Sequence, residues 1–137
     1  MNQLQIQLVQ ESFEQVKPIS DTAATLFYGH LFELDPSLRP YFKDDLSEQK
    51  LKLMETLAFV VAGLNHADTI LPVVRALGQR HVGYRVQDTH YETVGTALLW
   101  TLSQGLGDQF TPDVAQAWTA AYTLLAGVMK EAAHDLV

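Results

Sequence analysis

Residues 77–95 read LGQRHVGYRVQDTHYETVG, and the histidine within them, His81, decides the fold. It falls one turn after Leu77 on an apolar stripe that also carries Val73 and Val74, with Gly83 closing the helix behind it. Two earlier helical segments place a polar group just as unexpectedly. Tyr28 sits among Ala24, Phe27, Leu31 and Phe32, and Gln49 comes one turn before Leu53. Three polar side chains aimed inward from three helices describe a lined pocket rather than a plain bundle.

Working outward, the apolar spacing is helical nearly everywhere and no period-2 strand stands out. A first helix is predicted over about 3–16, stopping near Pro18. The next covers Ser20 to Leu34, and Asp35-Pro36 ends it and starts a short turn through Leu38 to Phe42. Ser47 reads as the N-cap of a helix over 48–64. Asp68 reads as the cap of a fourth long helix ending at Gly83, and Thr89-x-x-Glu92 matches a capping box for a helix reaching about Ser103. Gly105 and Gly107 terminate it, and Thr111-Pro112-Asp113 starts a last helix to about His134. The pattern is all-α.

Composition narrows the function classes. The 137 residues suit a single domain over 1–137, with 47% hydrophobic and 18% charged residues. A net charge of −7 with no basic run argues against nucleic acid and anionic membrane as partners. The longest apolar run, Leu57 to Leu64, is too short to span a bilayer, and no leader marks the chain for export, so a cytoplasmic location is expected. Without cysteine there is no disulfide, thiolate chemistry or covalent haem attachment.

Singly, each pocket residue has a bland explanation: a core histidine, a core tyrosine, a solvated glutamine, a core Phe42. The remaining histidines offer less. His30 falls two residues after Tyr28 and is expected to face away from the buried stripe, while His66, His90 and His134 occupy a loop, a first turn and a helix end. No pair shows i, i+4 ligand spacing, and neither a Ser-His-Asp nor a paired-carboxylate mechanism has an anchor.

The order of the elements adds what single residues lack. FYGHLFELDPSLRPYF (27–42), SEQKLKLM (47–54), LGQRHVGYRVQDTHYETVG (77–95) and AWTAAYTLLAGVM (117–129) together resemble the globin family. The resemblance is to single-domain bacterial globins and the haem domain of flavohaemoglobins, and it covers essentially the whole chain. It implies a globin fold, a helical sandwich around a pocket for non-covalent haem b.

By that resemblance His81 is the ligand to haem iron, and Phe42 packs on the porphyrin. Tyr28, Gln49 and Leu53 form the distal, gas-binding side. Lys52 and Arg80 flank the haem edge as candidate propionate partners, and Tyr122 approaches the haem from the last helix. Leu77, Val82, Tyr84, Val86, Tyr91, Val94 and Leu98 are expected to line the pocket. One departure stands out. Flavohaemoglobins place a tyrosine and a glutamate behind the histidine; Tyr91 matches the first, but Ala133 stands where the glutamate belongs and Glu131 is two residues away. Losing that charge argues against a dedicated oxygen-activating enzyme.

The implied function is reversible, high-affinity oxygen binding for storage, scavenging or transport, with NO and CO as further ligands. Nitric oxide dioxygenation is implied only with an external reductase as electron donor. The alternative is a gas-sensing or regulatory globin that acts through a partner protein.

Overall fold

The computed structural model describes residues 1–83 and 88–134, the side chains of residues 82, 83, 88 and 134 excepted. Six α-helices follow one another: α1 (Gln3–Val16), α2 (Ser20–Leu34), α3 (Ser47–Ala62), α4 (Ala67–Gly83), α5 (Asp88–Leu106) and α6 (Pro112–His134). Short 3₁₀ turns, Lys17–Ile19, Pro36–Tyr41 and Gly107–Gln109, join α1 to α2, α2 to α3 and α5 to α6. The described residues contain no strand. None of their helices is long and apolar enough to cross a membrane.

Helices α1, α5 and α6 bury the stripe that their spacing calls for. On α1 this is Val9, Phe13 and Val16; on α5 it is Tyr91, Leu98, Leu102 and Leu106; on α6 it is Val114, Ala117, Trp118 and Ala121. Val73, expected on the stripe of α4, is instead 43% exposed, because α4 packs on α6 on the side of Val74. The α1–α6 contact includes one buried polar pair: Trp118 Nε1 donates to Ser12 Oγ at 2.8 Å. Indole burial is thereby achieved without an orphaned N–H.

Several helix ends differ from expectation. Ser47 is the first residue of α3 rather than its cap. Asp45 takes the capping role, accepting from the Ser47 N–H at 2.9 Å and its hydroxyl at 2.7 Å. Asp68 lies in the first turn of α4, whose opening bonds go to the His66 carbonyl. Helix α5 starts at Asp88, so Thr89 lies inside it, and it continues through Gly105 to Leu106. Gly107, at φ 56°, makes the stop, since a left-handed residue there costs only glycine nothing. At the start of α6, Thr111 Oγ1 does accept from Val114 N, with Pro112 as the first helical residue.

Packing is uneven in a way that creates a site. Helix α4 lies against α6, α2 lies against α5 and α3, and α1 lies against α6 and α3. The consecutive helices α3 and α4 are not among the substantially packed pairs of described residues. Their far halves bury well, at Val60, Val61, Ile70 and Val74. Gln49, Leu53, Leu77 and His81, in the other halves, are only half-buried or exposed. The apolar faces around Leu53 on α3 and Leu77 on α4 are left incompletely covered.

Candidate functional site

Tyr28 anchors the α2–α3 side of the candidate site. It is 4% exposed, with its ring 5.6 Å from Phe42, 6.1 Å from Phe32 and 5.0 Å from Phe27. Burial in this aromatic nest pushes the phenol above its ordinary range, and the paired Gln49 side chain opposes that shift. Tyr28 therefore keeps its proton at neutral pH and remains a donor. Gln49 reaches it from the exposed first turn of α3, and Leu53 follows one turn along.

Phe42 is held by a residue that the sequence reading passed over. The Arg39 guanidinium bonds three successive carbonyls, Phe42 at 3.3 Å, Lys43 at 2.9 Å and Asp44 at 3.0 Å. It also lies 5.3 Å over the Phe32 ring, itself 5.5 Å from Phe42. Arg39 thus clamps the loop into α3 and fixes the aromatic that faces Tyr28. A lone arginine between Leu38 and Pro40 carries no pattern that announces such a role.

His81 anchors the α4–α5 side. Its Nδ1 lies 2.7 Å from the Leu77 carbonyl oxygen, which can only accept, so Nδ1 carries the hydrogen. In the neutral ring Nε2 then carries the lone pair, the form in which imidazole ligates a metal. Burial lowers the His81 pKa, with Leu77 opposing and the Arg80 charge assisting, so the neutral form prevails near pH 7. The Tyr91 ring lies 6.5 Å away at 27°.

A second layer fixes Tyr91. Tyr122 donates its hydroxyl to the Tyr91 carbonyl at 2.6 Å, and burial raises the Tyr122 pKa well above its usual value. Its ring fits because position 95 is glycine: a Cβ there would stand 2.7 Å from the Tyr122 ring. Gly78 does the same for the helix crossing, where a Cβ would meet the Met129 carbonyl oxygen at 2.5 Å. Both glycines sit at inward positions in helix interiors, where glycine costs about 1 kcal/mol against alanine. That cost is the signal that could have exposed them. Lys130 Nζ completes the layer, 5.6 Å above the Tyr91 ring.

Other expected positions are less committed. Lys52 pairs with Glu48 at 3.2 Å on the surface, and Arg80 is exposed. Val94 is half-buried, and Leu98 joins Phe27, Leu53 and Leu57 around a small apolar cavity. Tyr84 and Val86 lie outside the described residues, as does the Val82 side chain. His30 corrects the expectation that it faces away from the interior. It stacks on Trp100 at 4.1 Å, because α2 is covered by α5 as well as α3 and so has two inward faces.

Among the described residues no cluster of three or more histidine, cysteine or acidic side chains could hold a metal. The donor set is a single neutral imidazole, with Leu53, Leu77 and Val94 as half-buried apolar residues. A macrocycle that brings four nitrogens of its own needs that and no more, so the residues fit haem. The globin family model matches residues 25–129. This chain belongs to the globin family. It is 28% identical over 124 residues to a flavohemoprotein of Bacillus subtilis and 28% over 131 residues to one of Vibrio cholerae. Those matches take in 88% and 93% of this globin but 31% and 33% of the relatives, so it spans about a third of their length. A rice protein named anaerobic nitrite reductase is 31% identical over 137 residues, covering 95% of this chain and 94% of that one.

Proposed function

We propose that this globin holds haem b non-covalently through His81 Nε2 and binds oxygen reversibly with high affinity. One observation carries the reading. The Leu77 carbonyl fixes the His81 tautomer that can ligate iron, while Tyr28 sits in an aromatic nest with the Gln49 side chain reaching it from α3. Haem held there would supply an iron able to bind a small gas. Phe42 and Leu53 offer apolar surface to the macrocycle, with Leu77 and Val94 as lining and Lys52 and Arg80 as propionate partners.

Tyr28 and Gln49 act as donors toward a polar diatomic ligand. A hydrogen bond to a charged acceptor contributes about 1.5–3 kcal/mol, roughly ten- to a hundred-fold in dissociation. Tight oxygen binding with slow release suits scavenging or storage. Turnover of nitric oxide with oxygen draws support from the flavohemoprotein relatives and requires re-reduction by a reductase outside these 137 residues. Stopped-flow dissociation on haem-loaded protein tests the reading. Tyr28→Phe should release oxygen at least ten times faster and carbon monoxide with little change. An unchanged oxygen rate removes Tyr28 from the function.

A further inference from the structure

Behind the imidazole lies a charge that the proposed gas chemistry does not call for. Lys130 comes from α6 and is half-buried, so its stem packs into the protein while its ammonium sits 5.6 Å from the centre of the Tyr91 ring. Tyr91 is 7% exposed, and its own ring lies 6.5 Å from that of His81 at a shallow 27°. The three groups form a file: ammonium, phenol ring, imidazole. Nothing in it is left to chance. The Tyr122 hydroxyl holds the Tyr91 backbone at 2.6 Å, Gly95 makes room for the Tyr122 ring, and Gly78 lets α4 close on α6 at Met129, the residue before Lys130. The neighbouring carboxylate, Glu131, is exposed and screened by water. Among the described residues, the charge lying against the Tyr91 ring is that of Lys130.

We propose that Lys130 is a positioning residue that, acting through Tyr91, biases the His81-ligated iron toward its reduced state. This rests on the haem reading given above. A positive charge stabilises whichever oxidation state carries less positive charge, which for a ferric/ferrous couple is ferrous. At roughly 15 Å and an effective dielectric of about 20, one unit charge changes such an equilibrium several-fold. The ammonium also lies over the electron-rich ring of Tyr91 and attracts its density, so this contact does not make the imidazole more donating. A ferrous-biased iron whose imidazole is not made more donating favours holding a gas over activating it. The file thus gives this globin a direction: a binder that resists oxidation.

The test uses the full chain loaded with haem, as wild type, Lys130→Arg, Lys130→Gln and Lys130→Glu. Two quantities are read: the ferrous-to-ferric ratio at fixed applied potential, and the iron–histidine stretching frequency of the ferrous protein. Lys130→Arg should match wild type. Lys130→Gln should lower the ratio several-fold, and Lys130→Glu should lower it further with a raised stretching frequency. If the glutamate variant does not fold, the arginine and glutamine variants decide the matter alone. Identical ratios and frequencies for arginine and glutamine overturn the proposal while leaving the His81 reading intact. A wild type that binds haem without a histidine stretch overturns both.

Discussion

Tyr122 donates its hydroxyl to the backbone carbonyl of Tyr91 across 2.6 Å, tying α6 to the residue whose ring faces His81. The resemblance assigned Tyr122 to the haem surface directly. Its hydroxyl is instead spent on the main chain of α5, and its ring on the gap left by Gly95. A residue in this position sets the pocket by setting its neighbour.

That arrangement makes stability sensitive to alkali. Tyr28 and Tyr122 both have phenol pKa values raised by burial, whereas in the unfolded chain both lose their protons near pH 10. Above that pH the folded protein holds more protons than the unfolded one, so stability falls as pH rises. Below pH 10 the contribution is fully present. Urea unfolding between pH 8 and 11 should show this decline, with a shallower slope for Tyr122→Phe. At pH 8 the same variant should lose about 1 kcal/mol for the missing bond. Parallel slopes for variant and wild type would remove Tyr122 from the alkaline limb.

The crossing of α4 over α6 depends on position 78 having no side chain. A Cβ 2.5 Å from the Met129 carbonyl oxygen meets backbone, which cannot rotate away. Gly78→Ala gains about 1 kcal/mol in helix propensity but incurs overpacking of up to about 3 kcal/mol. The expected net is a loss of about 2 kcal/mol in chemical denaturation, together with weaker haem retention. A stabilised variant would show that α4 and α6 lie farther apart than described.

Ser12 tests the core independently of the pocket. Its hydroxyl accepts from Trp118 Nε1 at 2.8 Å and donates into α1, 2.7 Å from the Leu8 carbonyl and 3.1 Å from that of Val9. Ser12→Ala leaves a buried indole N–H unsatisfied and should cost about 1–3 kcal/mol. Replacing Trp118 by Phe in the same background should recover part of the loss, since no donor is then stranded. Additive losses in that double-mutant cycle would mean the pair contributes no coupling.

Much of this was readable from periodicity alone. The bounds of α1 and α2 and the start of α6 fall where Pro18, Asp35-Pro36 and Thr111-Pro112 put them, because proline acts through its own covalent geometry. The caps at Ser47, Asp68 and Thr89 shifted by a residue or two, since several neighbouring side chains compete for the same first-turn donors. Inward placement of Tyr28 and His81 followed from three-and-four spacing. The supporting layer did not. Arg39 bonding carbonyls, Gly78 beneath Met129 and Lys130 above Tyr91 are contacts between distant helices or within an irregular loop, and no one-dimensional period encodes them. His30 shows the same limit, for a stripe argument assumes one buried face where α2 has two.

The central claim is one bond, from His81 Nε2 to haem iron, prepared by the 2.7 Å contact of Nδ1 with Leu77. Resonance Raman spectra of the ferrous, haem-loaded wild type and His81→Gly address it directly. The wild type should show an iron–histidine stretch, the variant should lose it, and added free imidazole should restore a ligated spectrum. A His81→Gly protein that keeps the wild-type stretch without added imidazole would contradict the account.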